Sequence, residues 1–372
     1  MKPENHSGGT SIAGLFFVLM LLLIQSAPAQ TVTLNPAQQQ RLLALANTHK
    51  DGKLLVKIVL RDADLALAEQ PHPVAEIQSA GLLNSDADKK QTVAALEDMP
   101  RMEDLAWAMT MTGKQAYADH LRDYVLAWAA KMTPPPNPID ATKLAPLIMA
   151  YDLLRPRLTA VDRRKVDAWL QACAVRLIDE GKPNKDGTIY TNFHSHRLKI
   201  VGLVGFVTGD KKLVQYAIDG FKQQVVHNLN PDGSSYDFHE RDALHYHVYT
   251  LEPLLALAIA ADKNGDCNLY DYQASNKASL RKSVEFLLPY LQGQKTYAEY
   301  VNSKVEFDRK RADAGQKGFE IGGAFDPAGA RNRLGLASYF DPRLRGLVAQ
   351  LAEKSDREYP TWQTLLNAAA GH

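Results

Sequence analysis

Proton-transferring and anion-holding side chains gather in one short stretch, Asp232 to Tyr249, DGSSYDFHERDALHYHVY. It contains His239, His245, His247, Tyr236, Tyr246, Tyr249 and Arg241, and leads into the apolar run LEPLLALAIAA. Imidazole and phenol groups exchange protons, and a guanidinium holds a negative charge, so the chemistry on offer is acid–base work beside a bound anion. A single helix over Arg241 to Ala261 would put Asp242, His245, Tyr246 and Tyr249 on one face at i, i+3, i+4, i+7 spacing. An amphipathic helix with hydrogen-bonded Tyr and His tips at a core edge accounts equally well for the pattern.

Two further clusters carry candidate chemistry. Tyr190 to Lys199, YTNFHSHRLK, crowds Asn192, His194, His196, Arg197 and Lys199 at an expected helix start, ahead of IVGLVGFV. Backbone N–H groups and the helix dipole there suit a carboxylate, and Asn and His side chains add donors to the same anion. N-capping by Asn192 or Ser195 explains part of the same pattern. Tyr297 to Arg311, YAEYVNSKVEFDRKR, carries Lys304, Arg309, Lys310 and Arg311. Such a run is first of all a solvated helix face. The stretches DMPRMEDL (98–105) and NPIDATKLAPL (137–147) place Arg101 and Lys143 at expected helix starts.

These groups need a scaffold, and the chain is long enough to build one. Its 372 residues are 45% hydrophobic and 23% charged, which allows a large core. The apolar run Ile12 to Ile24, followed by Ala27-Pro28-Ala29, reads as a secretory signal peptide over residues 1–29. The expected mature chain, 30–372, is then periplasmic or secreted, and no later run is long enough to span a bilayer. A net charge of +1 offers nothing to nucleic acid. There is no CxxC and no HExxH, so no metal is expected. Cys173, in WLQACAVRLI, reads as a buried thiol, although export would permit a pair with Cys267.

Apolar residues recur at helical spacing almost throughout. Helices are expected at Asn35–Thr48, Ala63–Glu69, Thr92–Asp98, Met102–Thr112, Gln115–Lys131, Asp140–Leu154 and Asp162–Glu180, with a sharp break at TPPPNP (133–138). The tail from Ser355 is expected to fray. An internal echo supports a helical array. AMTMTGKQAYADHLRDYVLAWA around Gly113 and GFVTGDKKLVQYAIDGFKQQVV around Gly209 are both helix, Thr-Gly turn, helix. Repeated hairpins of this kind stack into a solenoid or close into a toroid, here as one domain.

Two segments, NFHSHRLKIVGLVGF and ERDALHYHVYTLEPLLALA, resemble the alginate lyase superfamily, and DMPRMEDLAWAMTMTGKQAYADHLRDYVLAWA and YVNSKVEFDRKRADAG resemble it too. The nearest likeness is to polysaccharide lyase family 38, which includes glucuronan and alginate lyases. The resemblance implies an all-α, (α/α) toroid that cleaves 1,4-linked uronic acid polymers without a cofactor. It makes Tyr246 the catalytic tyrosine, Arg241 its neighbour, and Asn192 with a histidine the groups that neutralise the uronate carboxylate. The group's usual Asn-Asn-His-Arg-Tyr-Trp is altered: Thr191 precedes Asn192, and Ser195-His196-Arg197 follow His194. The histidine is therefore His194 or His196. Arg197, His245, Arg101, Lys143, Lys310 and Arg311 are the expected substrate contacts.

In such a lyase the base removes the C5 proton of a uronate while O4 departs. Hydrogen bonds to the carboxylate stabilise the developing dianion, and nearby positive charge is expected to lower the pKa of Tyr246. In β-linked glucuronate or mannuronate H5 and O4 share a face, so one tyrosine can serve as base and acid. Guluronate requires a second group, such as His194. Two other readings remain: a glycoside hydrolase using two of Asp232, Asp237, Glu240 and Asp242, or a non-catalytic periplasmic protein that binds acidic glycans.

Overall fold

In the computed structural model, residues 31–182, 187–265, 267–353 and 362–371 are described. The leader read over 1–29 lies outside them. Helices follow one another as α1 Pro36–Thr48, α2 Lys50–Ala66, α3 Ala87–Ala95, α4 Asp98–Thr112, α5 Gln115–Lys131, α6 Pro138–Ala141, α7 Ala145–Leu154, α8 Ala160–Gly181, α9 Asn192–Thr208, α10 Lys211–Asn228, α11 Tyr236–Arg241, α12 Leu244–Lys263, α13 Leu280–Leu291, α14 Glu306–Asp313, α15 Arg331–Ala337, α16 Arg345–Glu353 and α17 Trp362–Ala370. No strand forms among the described residues, and none of their helices is long and apolar enough to cross a membrane. The hairpins curve into an (α/α) toroid around one hydrophobic core that runs from Val32 to Ala369.

The echoed Thr-Gly turns do what their composition dictates. Gly113 (φ 71°) and Gly209 (φ 75°) take the left-handed conformation that closes α4 onto α5 and α9 onto α10. Helix α9 is the axis of the arrangement and packs on α8, α10 and α12. Of its residues only Phe193, His194 and Thr208 escape burial, because neighbouring helices enclose it. Close approach needs Gly202, where a Cβ would stand 2.4 Å from Leu257 Cδ1 of α12.

Several elements differ from the sequence reading, for physical reasons. The helix read from Ala63 begins at Lys50, because Leu55, Val59, Ala63 and Ala66 form one buried stripe. The tail read as fraying forms α17, whose Leu365, Leu366 and Ala369 are buried; Arg41 Nε donates to Ala369 O. Residues 31–35 are strapped across the body. Asp152 accepts from Thr31 Oγ1 (2.7 Å) and Thr33 N (2.9 Å), and Lys263 donates to Thr33 O (2.6 Å). Cys173 is a free, wholly buried thiol, pushed up to about 12 by its apolar surroundings.

One consequence for stability is testable. Burial, then Asp62 and Glu103, raise the Asp104 carboxyl to about 7. A raised acid stabilises while it is protonated and loses that contribution as pH climbs from the unfolded value through about 7. Asp104→Asn is therefore expected to raise stability at pH 8 by about 1–2 kcal/mol, after allowance for solvent screening. The gain should shrink as pH falls below about 7 and vanish only near pH 3.8, so the second measurement is made there. Urea unfolding at both pH values checks it; an equal gain at both would exclude this cause.

Candidate active site

Helix α9 begins at Asn192 because Thr191 caps it, its Oγ1 accepting from Phe193 N (3.3 Å). The Asn192 amide donates to Asp237 Oδ1 (2.6 Å), as does its backbone N–H (3.1 Å). The second oxygen of Asp237 accepts from Asn228 Nδ2 (2.7 Å) and Thr250 Oγ1 (2.8 Å). One buried carboxylate thus ties α9, α10, α11 and α12 together. Burial raises its pKa against these hydrogen bonds. Asp237→Ala would leave those donors unpaired and is expected to cost about 3–5 kcal/mol in urea unfolding. A loss below about 1 kcal/mol would reduce Asp237 to an ordinary surface-type contact.

The expected single helix from Arg241 to Ala261 is broken. Asp242 is left-handed (φ 49°), so α11 ends at Arg241 and α12 starts at Leu244. Asp tolerates this backbone, and its carboxylate is occupied by Tyr297 OH and Asn302 N. Asp242 is therefore off the shared face, while His245, Tyr246 and Tyr249 line one cleft. The break turns Arg241 back onto Tyr246. Its guanidinium carbon sits 4.1 Å from the ring centroid, and Nη1 donates to the phenol oxygen (3.0 Å).

A second cation comes from far along the chain. Arg311 of α14 donates to the same phenol oxygen (2.7 Å) and is stacked between Phe307 and Phe319, 4.2 and 4.4 Å from their centroids. Asp308, the one buried residue of α14, accepts from Arg241 Nη1 and from Ser303 Oγ (2.7 Å), and lies 3.9 Å from Arg311 Nη1. Both acceptor positions of the phenol are thus filled by guanidinium groups, and the remaining direction is that of its own proton.

The cleft, about 370 Å³, is lined by Lys89, Lys143, Arg241 and Arg311 together with Asn192, Phe193, His245, Tyr246, Tyr249 and Phe319. Among the described residues no carboxylate lines it. The expected fall in the Tyr246 pKa is not found. Burial raises it, and outweighs the lowering by Arg241 and Arg311. His245 lines the cleft, and desolvation with Arg333, Arg311 and Arg241 holds it down at about 4, a neutral imidazole near pH 7.

Other expected contacts lie elsewhere. His194 and His196 do not line the cleft, because the helical turn after Asn192 presents Phe193 there instead. His194 Nδ1 meets Arg197 Nη1 (3.0 Å), and Arg197 is buried with its Nε on Leu177 O (3.0 Å), so Arg197 is a packing residue. His196 is wholly buried against Thr142 Oγ1 (2.9 Å) and the Tyr249 ring. Arg101 pairs with Asp98 (3.3 Å), which also takes Trp128 Nε1. Lys310 is an exposed partner of Glu306 (3.0 Å). His247, between Ser235 Oγ and Ser283 O, is structural. Lys89, Phe193, Asp308 and Phe319 were not singled out in the sequence; they reach the site from separate segments, and only the helical register of Phe193 next to Asn192 hinted at any of them.

The hydrolase carboxylates are not available either. Asp237 and Asp242 are saturated, Asp232 holds Ser234 (2.7 Å), and Glu240 faces Lys304 (3.5 Å). Hydrolysis needs two carboxyl groups across a cleft. An (α/α) toroid with a cationic cleft around a doubly held tyrosine belongs instead among the polysaccharide lyases. The alginate lyase family model matches residues 32–297, and the chain belongs to that family.

Solved structures agree on the fold. The crystal structure of an alginate lyase from Bacteroides ovatus superposes with a TM-score of 0.68 and 17% identity, over 91% of this chain and 98% of that one. Alginate lyase A1-III from Sphingomonas species A1 gives 0.56 and 18%, over 73% and 81%. A tyrosine-to-phenylalanine variant of A1-III complexed with tetrasaccharide gives 0.56 and 18%, over 72% and 79%. No curated protein sequence matches this chain.

Proposed function

We propose that the protein cleaves 4-linked β-uronates, glucuronate or mannuronate, by β-elimination with Tyr246 as base and acid. The observation that carries this reading is the cleft itself: four cations and no carboxylate around a phenol that lines it and is held by two guanidinium groups. A uronate carboxylate seated on Lys143, Asn192 and Arg241 would have the charge of its enolate-like dianion spread over those donors. With Tyr246 ionised, its oxygen takes the C5 proton as the C5–H bond breaks, the freed electron pair forms the C4=C5 double bond, and the C4–O4 bond breaks. The proton returns to O4 from the same phenol. With H5 and O4 on one face, a single group suffices.

Guluronate places them on opposite faces. His245, neutral near pH 7 and lining the cleft, is the group positioned to take the second role, in place of His194 and His196, which do not line it. Export behind a leader at 1–29 is proposed on its apolar run alone. The test is the ultraviolet absorbance of 4,5-unsaturated uronate from glucuronan, polymannuronate and polyguluronate, with EDTA present. A rise on either of the first two supports the reading. Release of reducing ends without absorbance would overturn it in favour of hydrolysis.

A further inference from the structure

Helix α14 holds a carboxylate that a solvated helix does not require. Glu306 and Lys310 pair with each other in solvent, whereas the Asp308 side chain between them is only 2% exposed. Burying a carboxylate is costly unless charged partners and hydrogen bonds meet it. Here they converge from separate segments. Arg241 Nη1 of α11 donates to Asp308 Oδ1, Arg311 Nη1 stands 3.9 Å from the same oxygen, and Ser303 Oγ donates to Oδ2 (2.7 Å). Ser303 is fixed in turn by the chain entering the helix. Its Oγ accepts from Val305 N (3.2 Å) and its carbonyl from Arg309 Nη1 (2.9 Å).

The two guanidinium nitrogens that meet Asp308 are the same two that meet Tyr246. Arg241 Nη1 lies 3.0 Å from the phenol oxygen and Arg311 Nη1 2.7 Å from it. Two like charges converging on one neutral oxygen repel. The carboxylate offsets that repulsion, and it leaves the phenol beside a net single positive charge instead of two.

The other groups around the phenol do not share this arrangement. His245 and Tyr249 stand beside Tyr246 on α12, Tyr300 packs edge-on at 6.3 Å, and Lys89 and Lys143 line the same cleft. Glu299 accepts from His245 N (3.1 Å), Asp242 from Tyr297 and Asn302, and Glu252 from Lys199 (3.2 Å) and Arg333 (2.9 Å). Of the charges acting on Tyr246, Arg241 and Arg311 favour its ionised form and Asp308 opposes it.

We infer that Asp308 is a positioning residue: its carboxylate holds Arg241 and Arg311 on the phenol oxygen, and its charge sets the pH at which that phenol becomes the base. The inference rests on the reading of Tyr246 as base and deepens it. Position and charge separate by substitution. In Asp308→Asn, Oδ1 still accepts from Arg241 and Nδ2 donates to Ser303 Oγ, so the shape stays and the charge goes. Asp308→Ala removes both.

The experiment measures kcat/KM against pH on glucuronan and polymannuronate for the wild type and both variants. The phenol is titrated in parallel by ultraviolet difference, each protein read against its Tyr246→Phe counterpart. In Asp308→Asn the rising limb and the phenol titration should both move to lower pH by about one unit, opposite in sign to the loss of either arginine. Asp308→Ala should lose about 10²-fold in kcat, and the Asn variant should recover most of it. A purely structural role would lower Tm and leave the limb in place. A limb that stays, or moves up, in folded Asp308→Asn overturns the proposal, as does wild-type kcat in Asp308→Ala. If Asp308→Asn does not fold, Asp308→Glu decides, since it keeps the charge and displaces it: a fall in kcat with the limb unmoved supports the proposal, and wild-type kcat overturns it. If neither polymer is cleaved, the lyase reading has failed, and the phenol titration alone decides. A lower value in Asp308→Asn then supports the placement of the charge, and an unchanged one overturns it.

Discussion

Tyr246→Phe is expected to lower kcat on β-linked uronate polymer by about 10³-fold or more, with KM changed by less than about three-fold. The substitution removes one oxygen from the cleft and nothing else. The ring keeps its packing on Tyr249 and Tyr300, and Arg241 keeps Asp308 as its partner. On the mechanism proposed above, what is lost is the group that accepts the C5 proton and returns it to O4. A residual rate within ten-fold of the wild type would remove Tyr246 from the chemistry and leave His245 as the base. Circular dichroism and Tm should match the wild type, so that the loss cannot be assigned to folding.

Arg311→Met should cost about 10²-fold in kcat, the usual effect of removing one preorganised charged donor. It should also displace the pH profile. Burial raises the Tyr246 pKa, while Arg241 and Arg311 pull it down. Activity that needs the phenolate therefore grows on the alkaline side, and removing one of the two guanidinium groups raises the Tyr246 pKa further. The rising limb of kcat/KM against pH should move to higher pH in Arg311→Met. The neighbouring Lys310→Met makes the control, because Lys310 is exposed and paired only with Glu306. Equal losses in the two variants would show that general positive charge, and not the hydrogen bond to the phenol, is what matters.

How much of this was legible in the sequence depends on the distance over which each residue acts. The Thr-Gly turns at Gly113 and Gly209 announced their hairpins because a left-handed C-cap is a local event. Tyr246 and Arg241 could be paired because five residues separate them. The histidines after Asn192 were harder. Their direction depends on where α9 begins, and a start at Asn192 sends Phe193 into the cleft and His196 into the core. The break at Asp242 was hidden because Asp is no glycine, and its left-handed backbone is held by Tyr297 and Asn302. Arg311 stood in a run of like charges, Arg309 to Arg311, and nothing local distinguished the one that stacks between Phe307 and Phe319. Arg101 and Arg197 looked like ligands for the same reason: sequence shows that a cation is present, and only tertiary packing shows which acceptor it meets.

Helix α14 hangs on the toroid by little more than Asp308, its one buried side chain, yet it supplies half of the electrostatic setting of Tyr246. The toroid's apolar core draws nothing from its other residues. One of the two charges that lower the phenol's pKa is therefore supplied by a segment that adds nothing to the apolar core. Variation in residues 306–313 is free to retune the reaction toward a new polymer or a new pH without burdening the fold, so long as Asp308 and the stacked arginine persist.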